Sequence, residues 1–207
     1  MRRQQTISKI LGFIIVGGGG LIMLMPFIWL LSSSFKSAAK IYVFPPQLIP
    51  DPFRWQNYVE VFSAVPVLTY ARNTLTITFF ATIGTVLSSI LAGYAFARLD
   101  FPGKNVLFWL IMATLMIPLQ ATIIPVFVLI SRLGLSDTLA SLILPALFTA
   151  FGTFLLRQYF MQIPKEFEEV ALIDGASQWY IFSRVFLPLV APVLAVLAVL
   201  AFNGTWN

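Results

Sequence analysis

The sequence predicts an all-α protein, a polytopic bundle of transmembrane helices that carries one short docking helix. Three observations predict it. Hydrophobic residues make up 59% of the chain and charged residues only 10%, where a soluble domain carries about a quarter charged. Uncharged apolar runs recur, each long enough for a bilayer core. Against that background, four of the eight carboxylates fall within the stretch Glu166 to Asp174.

Five spans are expected in order. Arg2, Arg3 and Lys9 precede an uncharged run from Ile10 to about Leu31, roughly 33 Å as a helix and so enough to cross. It is too long for a signal-peptide core and reads as a retained anchor. Gly17 to Gly20 inside it permit either close helix packing or a local distortion. Residues 32–69 are polar and rich in proline, with Trp55 and Tyr58 as interface anchors, and read as an external connector. The second span runs from about Asn73 to Ala97. The third covers about Val106 to Ile130 and is interrupted by Pro118 and Pro125. The fourth covers about Leu139 to Leu156, with Pro145 inside, and the fifth about Val185 to Phe202, with Pro188 and Pro192. This divides the chain into an anchor (1–31), an external loop (32–69) and a core (70–207). Loop charges favour a cytoplasmic N-terminus: Arg98, Lys104, Arg157, Lys165 and Arg184 join the N-terminal cations on one side, against Lys36, Lys40, Arg54, Arg72 and Arg132 on the other.

The acidic stretch lies between the fourth and fifth spans, on the cytoplasmic side of this arrangement. Pro164 suits a first helical position. Glu166, Glu168 and Glu169 then fall where the helix dipole favours carboxylates, and Gly175 falls where a left-handed C′ residue ends a helix. A helix of about eleven residues, some 16 Å long, is expected. Phe167, Val170, Ala171 and Asp174 share a face at helical spacing. So short a helix needs packing to persist. Interfacial helices usually present Lys and Arg to lipid, so acids point to a protein partner, with a bland surface connector as the competing reading.

Composition excludes several chemistries. The chain has no Cys and no His, so disulfides, thiol chemistry and histidine metal sites are absent, and no metal or cofactor is expected. Its net charge of +5 suits lipid head groups and membrane orientation rather than nucleic acid. No ionisable residue lies deep in any expected span, against a proton relay. There is neither a G-x-x-x-x-G-K-[ST] phosphate loop nor a base–nucleophile set, so no catalytic residue is expected and any ATP hydrolysis belongs to another polypeptide. The candidate path-lining groups are neutral: Asn73, Thr76, Ser88, Tyr94 and Gln120, with Thr74, Thr78, Ser89 and Thr122 beside them. Their hydroxyls and amides suit a neutral polyol, although Ser and Thr in membrane helices more often bond backbone or a neighbouring helix.

The stretch EVALIDGASQWYIFSRVFLP resembles the EAA signature of ABC-importer permeases, which reads EAA, three residues, G, nine residues, I-x-L-P. Glu169, Ala171, Gly175, Leu187 and Pro188 fall on it at full spacing, while Val170 replaces the middle Ala and Val185 the Ile. Residues 33–62 are similar to the first external loop of the carbohydrate-uptake group, and LAGYAFARLDFPGK to the end of its second core span. The likeness extends over nearly the whole chain and is nearest to the maltose-type second permease subunit. It implies a cytoplasmic coupling helix seated on an ATP-binding cassette ATPase subunit, with Glu168, Glu169, Ala171, Asp174 and Gly175 in the coupling loop and Leu187 and Pro188 opening the next helix. It also implies a second permease subunit, an extracytoplasmic solute-binding protein, and a sugar or sugar-like cargo. Permeases of this type continue through a sixth span, so the chain reads as a fragment ending after the fifth. The competing functions are a permease for a polyamine or an anion, a scaffold that anchors a cytoplasmic partner, and, weakest, a membrane enzyme.

Overall fold

Helices are the only regular structure among residues 2–206, which the computed structural model describes. The side chains of Arg2, Arg3 and Lys9, counted toward orientation, lie outside the described residues, as does Asn207. The chain divides into two units, Met1–Leu68 and Thr69–Asn207.

In the first unit, α1 (Arg2–Ser34) runs unbroken through the four glycines, so they cause no distortion, and nothing stands within 4 Å of where their Cβ atoms would be. It extends past the expected end at Leu31. The connector is partly ordered. It folds two helices, α2 (Ala38–Ile41) and α3 (Gln56–Ala64), back onto the end of α1. The Asn57 amide donates to the carbonyls of Ser34 and Lys36 at 2.9 and 2.8 Å, which closes the C-terminal end of α1. Phe35 stacks on Phe53 at 4.4 Å, and Tyr58 joins them at 5.2 Å. Lys36 is buried, with its ammonium donating to the Gln47 carbonyl and lying 4.1 Å over the Trp29 ring. Cation and carbonyl together offset the desolvation of that charge.

The second unit is built on α4 (Val67–Arg98), most of which lies in it. Next come α5 (Lys104–Thr114) and α6 (Leu119–Arg132), where a single third span was expected. They meet at 103°, and neither α5, about 16 Å long, nor α6, about 21 Å, reaches across a bilayer core alone. The cause is Pro118, which takes an extended conformation and caps α6 with no N–H to continue α5. The fourth span is α7 (Ala140–Ala146) followed by α8 (Ala150–Gln162); it breaks after Pro145 and runs on to Gln162 rather than Leu156. Then come α9 (Glu166–Ile173) and α10 (Gln178–Tyr180), a π-helical segment Ile181–Phe186, α11 (Leu187–Leu189) and α12 (Ala191–Trp206). The expected fifth span is therefore not one helix from Val185. It begins as helix at Gln178 and bends by 75° around Val190, between Pro188 and Pro192.

The buried cluster of this unit joins Ile90 and Tyr94 of α4, Leu156 and Phe160 of α8, the aromatic residues Phe182 and Phe186, and Val193 and Leu197 of α12. Close approach of α4 and α8 makes it possible. A Cβ on Gly93 would stand 2.7 Å from the Leu156 Cβ and 3.0 Å from the Arg157 backbone nitrogen, and one on Gly152 would meet Ser89 Oγ at 2.2 Å. Small residues at helix contacts are how membrane helices gain van der Waals packing where lipid supplies no hydrophobic drive. Most large apolar residues elsewhere are exposed in the isolated chain, as lipid- and partner-facing surfaces must be. The helices Ile15–Ser34, Val67–Arg98 and Ala140–Gln162 are each long and apolar enough to cross, and each bent pair adds one span at most. The protein is a multi-pass membrane protein.

Gly93→Val is expected to destabilise the second unit by about 1–3 kcal/mol through overpacking against the α8 backbone. Gly84→Ala, which meets chiefly the Leu147 side-chain tip, should cost less. Apparent melting temperatures of the detergent-solubilised protein decide between equal and unequal effects.

Candidate functional site

The acidic stretch forms α9, eight residues from Glu166 to Ile173 instead of eleven, with Lys165 as N-cap and Pro164 just outside the helix. Glu166, Glu168 and Glu169 occupy the first turn, where the free N–H groups favour negative charge. At the other end Asp174 is the C-cap and Gly175 takes φ +76°. The Gly175 N–H donates to the Leu172 carbonyl at 3.0 Å and the Ala176 N–H to the Ala171 carbonyl at 2.9 Å. These two bonds make a Schellman motif, with Gly175 at the left-handed position. Ala171 and Ala176, brought together by it, pack on the buried cluster. Ser177 then caps α10 by accepting from the Tyr180 N–H at 3.2 Å.

The signature residues thus have distinct places. Ala171 and Leu187 touch the same buried cluster, Gly175 shapes the turn between them, and Pro188 lies in α11, directly after the π-helical segment. The wider π turn lets the Leu187 N–H reach back to the Phe182 carbonyl just ahead of a residue that has no N–H to donate. Glu169 and Asp174 are exposed.

No residue of α9 is fully buried. Its apolar face opens instead on a groove of about 900 Å³, lined by Phe167, Val170, Ala171 and Asp174 on one side and by Tyr180 and Val185 beyond the turn. Phe167 and Val170 are each at least half exposed there. On another side of α9 a smaller cleft of about 340 Å³ gathers charges: Arg98, Asp100, Lys104, Lys165, Glu168 and Glu169. The apolar face was legible from helical spacing. The attachment of α9 to the bundle was not.

Besides the packing of Ala171 and Ala176 on the cluster, α4 contributes to that attachment. Arg98, in its last turn, donates through Nη2 to the carbonyls of Phe160 and Ile163 at the end of α8. Its Nη1 lies 3.9 Å from Glu168 Oε2, and its guanidinium sits 4.6 Å over the Phe186 ring. One turn earlier, Tyr94 donates from its hydroxyl to Gln178 Oε1 at 3.2 Å. Sequence reasoning counted Arg98 only as a loop charge; its place in the last turn of a span was the available signal, since cations there meet free carbonyls.

The five candidate path residues are not gathered. Asn73, Thr76, Ser88 and Tyr94 are strung along α4 over about 32 Å, and Gln120 is exposed on α6. Thr76 donates to the Arg72 carbonyl of its own helix at 2.8 Å. Ser88 donates to the Leu147 carbonyl, and Thr85 beside it to that of Ala146, at the break between α7 and α8. Tyr94 is buried among Phe160, Phe182 and Phe186. No group of acidic residues able to hold a metal occurs among the described residues.

Gly175→Val forces a side chain into the left-handed region at a cost of about 1–2 kcal/mol. Hydrogen exchange at the amides of position 175 and Ala176 should accelerate roughly five- to thirtyfold, with the amides of α8 unchanged; equal rates in variant and wild type would show that the left-handed turn does not hold the end of α9.

Residues 84–207 match the family described as binding-protein-dependent transport system inner membrane component. The chain is 35% identical to the diacetylchitobiose uptake system permease protein of Streptomyces coelicolor over 188 residues, 90% of this chain and 62% of that protein. It is 36% identical to the sn-glycerol-3-phosphate transport system permease protein of Yersinia pestis over 195 residues, 91% of this chain and 69% of that protein. The chain therefore spans about two thirds of the length of these relatives. A crystal structure of a bacterial ABC transporter involved in importing the acidic polysaccharide alginate contains a chain that superposes with a TM-score of 0.83 at 29% identity, covering 99% of this chain and 72% of that one. A bundle built on small-residue contacts, a signature turn held by Gly175 and an apolar helix face left open thus belong to a chain of the binding-protein-dependent transport system inner membrane component family.

Proposed function

We propose that this chain is a permease subunit of an ATP-driven importer and forms part of the path by which a sugar or sugar-like solute crosses the inner membrane. The observation that carries this reading is α9 itself. It is a short helix tied to the bundle at Glu168 and followed by a tie at Gln178, while its apolar face remains open on a groove. An open face between two anchored points suits an element that a partner pushes. An ATP-binding cassette ATPase subunit would seat there, meeting Phe167 and Val170 as apolar contacts and Glu166, Glu169 and Asp174 as charges. ATP hydrolysis would take place on that subunit, since this sequence has no phosphate-binding loop.

The mechanism follows from the ties. Displacement of α9 carries the ends of α4 and α8 with it, so closure of the ATPase pair tilts the spans as rigid bodies and the path opens to alternate sides. The N-terminus and α9 lie on the cytoplasmic side, a second permease subunit completes the path, and an extracytoplasmic solute-binding protein delivers the cargo. Asn73, Thr76, Ser88, Tyr94 and Gln120 remain the candidates for contact with it. Membership in a family whose similar proteins are named for diacetylchitobiose and glycerol phosphate uptake supports the cargo class.

Membrane vesicles holding the chain in its natural gene context, with its neighbouring subunits, should take up a labelled oligosaccharide or sugar phosphate only with ATP inside. Uptake of polyamine or inorganic anion in its place would displace the sugar reading. Val170→Asp places a charge in the apolar groove, and should weaken co-purification of the ATPase subunit more than tenfold, consistent with a charge buried without a partner. Undiminished capture would remove α9 as the docking element.

A further inference from the structure

We propose that Arg98 is the positioning residue that makes α9 move as one body with α4 and α8, and that Glu168, alone among the carboxylates of the acidic stretch, serves this internal link rather than the ATPase interface. The inference rests on α9 being the docking element.

Four carboxylates stand between Glu166 and Asp174, and the structure separates them. Glu166, Glu169 and Asp174 are exposed, whereas Glu168 is turned inward, its side chain 17% exposed against 5% for Arg98. Arg98 is a junction of four elements. Its own backbone ends α4, its Nη2 donates to the Phe160 and Ile163 carbonyls at the end of α8, its Nη1 faces Glu168 on α9, and its plane lies over Phe186 of the π-helical segment. Only a guanidinium has donors in a fixed fork wide enough to serve two carbonyls and a carboxylate at once while stacking on a ring. A lysine in its place would hold one or two of these partners.

Burial makes the link stiff. An exposed ion pair is worth little, and Lys104–Asp100, with its fully exposed carboxylate, is of that kind. The Arg98 set is shielded, so moving α9 away from α4 would strip the inward-turned Glu168 carboxylate of its cation while Arg98 kept its carbonyls on α8. Tyr94, one turn back on α4, bonds Gln178 beyond the Gly175 turn. The segment from Glu168 to Gln178 therefore meets the same helix at both ends, and a push on it is passed to α4.

The test uses the complete transporter in liposomes and reads solute taken up per ATP hydrolysed. Glu168→Gln, which keeps shape and removes charge, and Arg98→Lys should each lower this ratio about tenfold, within the range reported for residues that carry coupling. Asp100→Asn, which breaks the exposed neighbouring pair, should leave it unchanged. Because this chain has no cysteine, spin labels at Leu91→Cys and Ile173→Cys, in otherwise cysteine-free subunits, report the α4–α9 distance. It should stay narrow with and without ATP, and broaden in Glu168→Gln. An unchanged ratio in Glu168→Gln, failure of that variant to assemble, or an α4–α9 distance that changes on ATP binding in the unsubstituted pair would each overturn the link. Absence of any ATP-driven uptake by the unmodified complex would overturn the importer reading instead, and the label distances would still decide whether Arg98 joins α9 to α4.

Discussion

A broken helix among apolar groups must find donors for the carbonyls that the break sets free, because lipid offers none. Much of the second unit depends on how that demand is met. The break between α7 and α8 frees the carbonyls of Ala146 and Leu147, which accept from Thr85 and Ser88 of α4. At the end of α8 the Ile163 carbonyl accepts from Arg98 of α4, and the Phe160 carbonyl, which also accepts from the Ile163 N–H at 3.3 Å, takes a second bond from the same guanidinium. In return Arg157 of α8 donates to the Phe96 carbonyl at 3.3 Å, near the end of α4. Each such group, left unpaired, costs about 1–3 kcal/mol, so α4 and the α7–α8 segment specify each other's placement at both of these points.

Close packing makes those bonds reachable. A serine or threonine side chain spans little more than its own Cβ and hydroxyl, so Thr85 and Ser88 reach a neighbouring backbone only because the helices nearly touch. Gly93 and Gly152 allow that approach. The polar ladder and the glycine contacts are therefore one device: glycines admit the neighbour and hydroxyls bond it. The aromatic cluster of Tyr94, Phe160, Phe182 and Phe186 then fills the end of the bundle nearest α9, with edge and tilted contacts between 4.9 and 6.0 Å.

This explains how so short a helix as α9 persists beside a rigid bundle. Eight residues have little stability of their own. Three supports hold it: the Schellman turn at Gly175, the packing of Ala171 and Ala176 on the cluster, and the pair between Glu168 and Arg98. None of them uses Phe167 or Val170, which leaves that face open.

The sequence by itself determined the class of the protein, the approximate number of its spans, and the presence of a short acidic helix ended by a glycine. These follow from quantities local in the chain: run length, charge content, and the one residue type that takes φ +76° without strain. Tertiary structure decided where the spans bend, because Pro118, Pro188 and Pro192 announce a break but not the 103° or 75° angle, which neighbouring helices set. It decided that Ser88 and Tyr94 have hydrogen-bond partners on α7–α8 and α10, and that Glu168 faces inward while Glu169 does not. Hydropathy cannot supply these answers. Lipid and protein interior are both apolar, so a membrane helix carries little periodic contrast between its faces, and only the contact itself tells which side is packed.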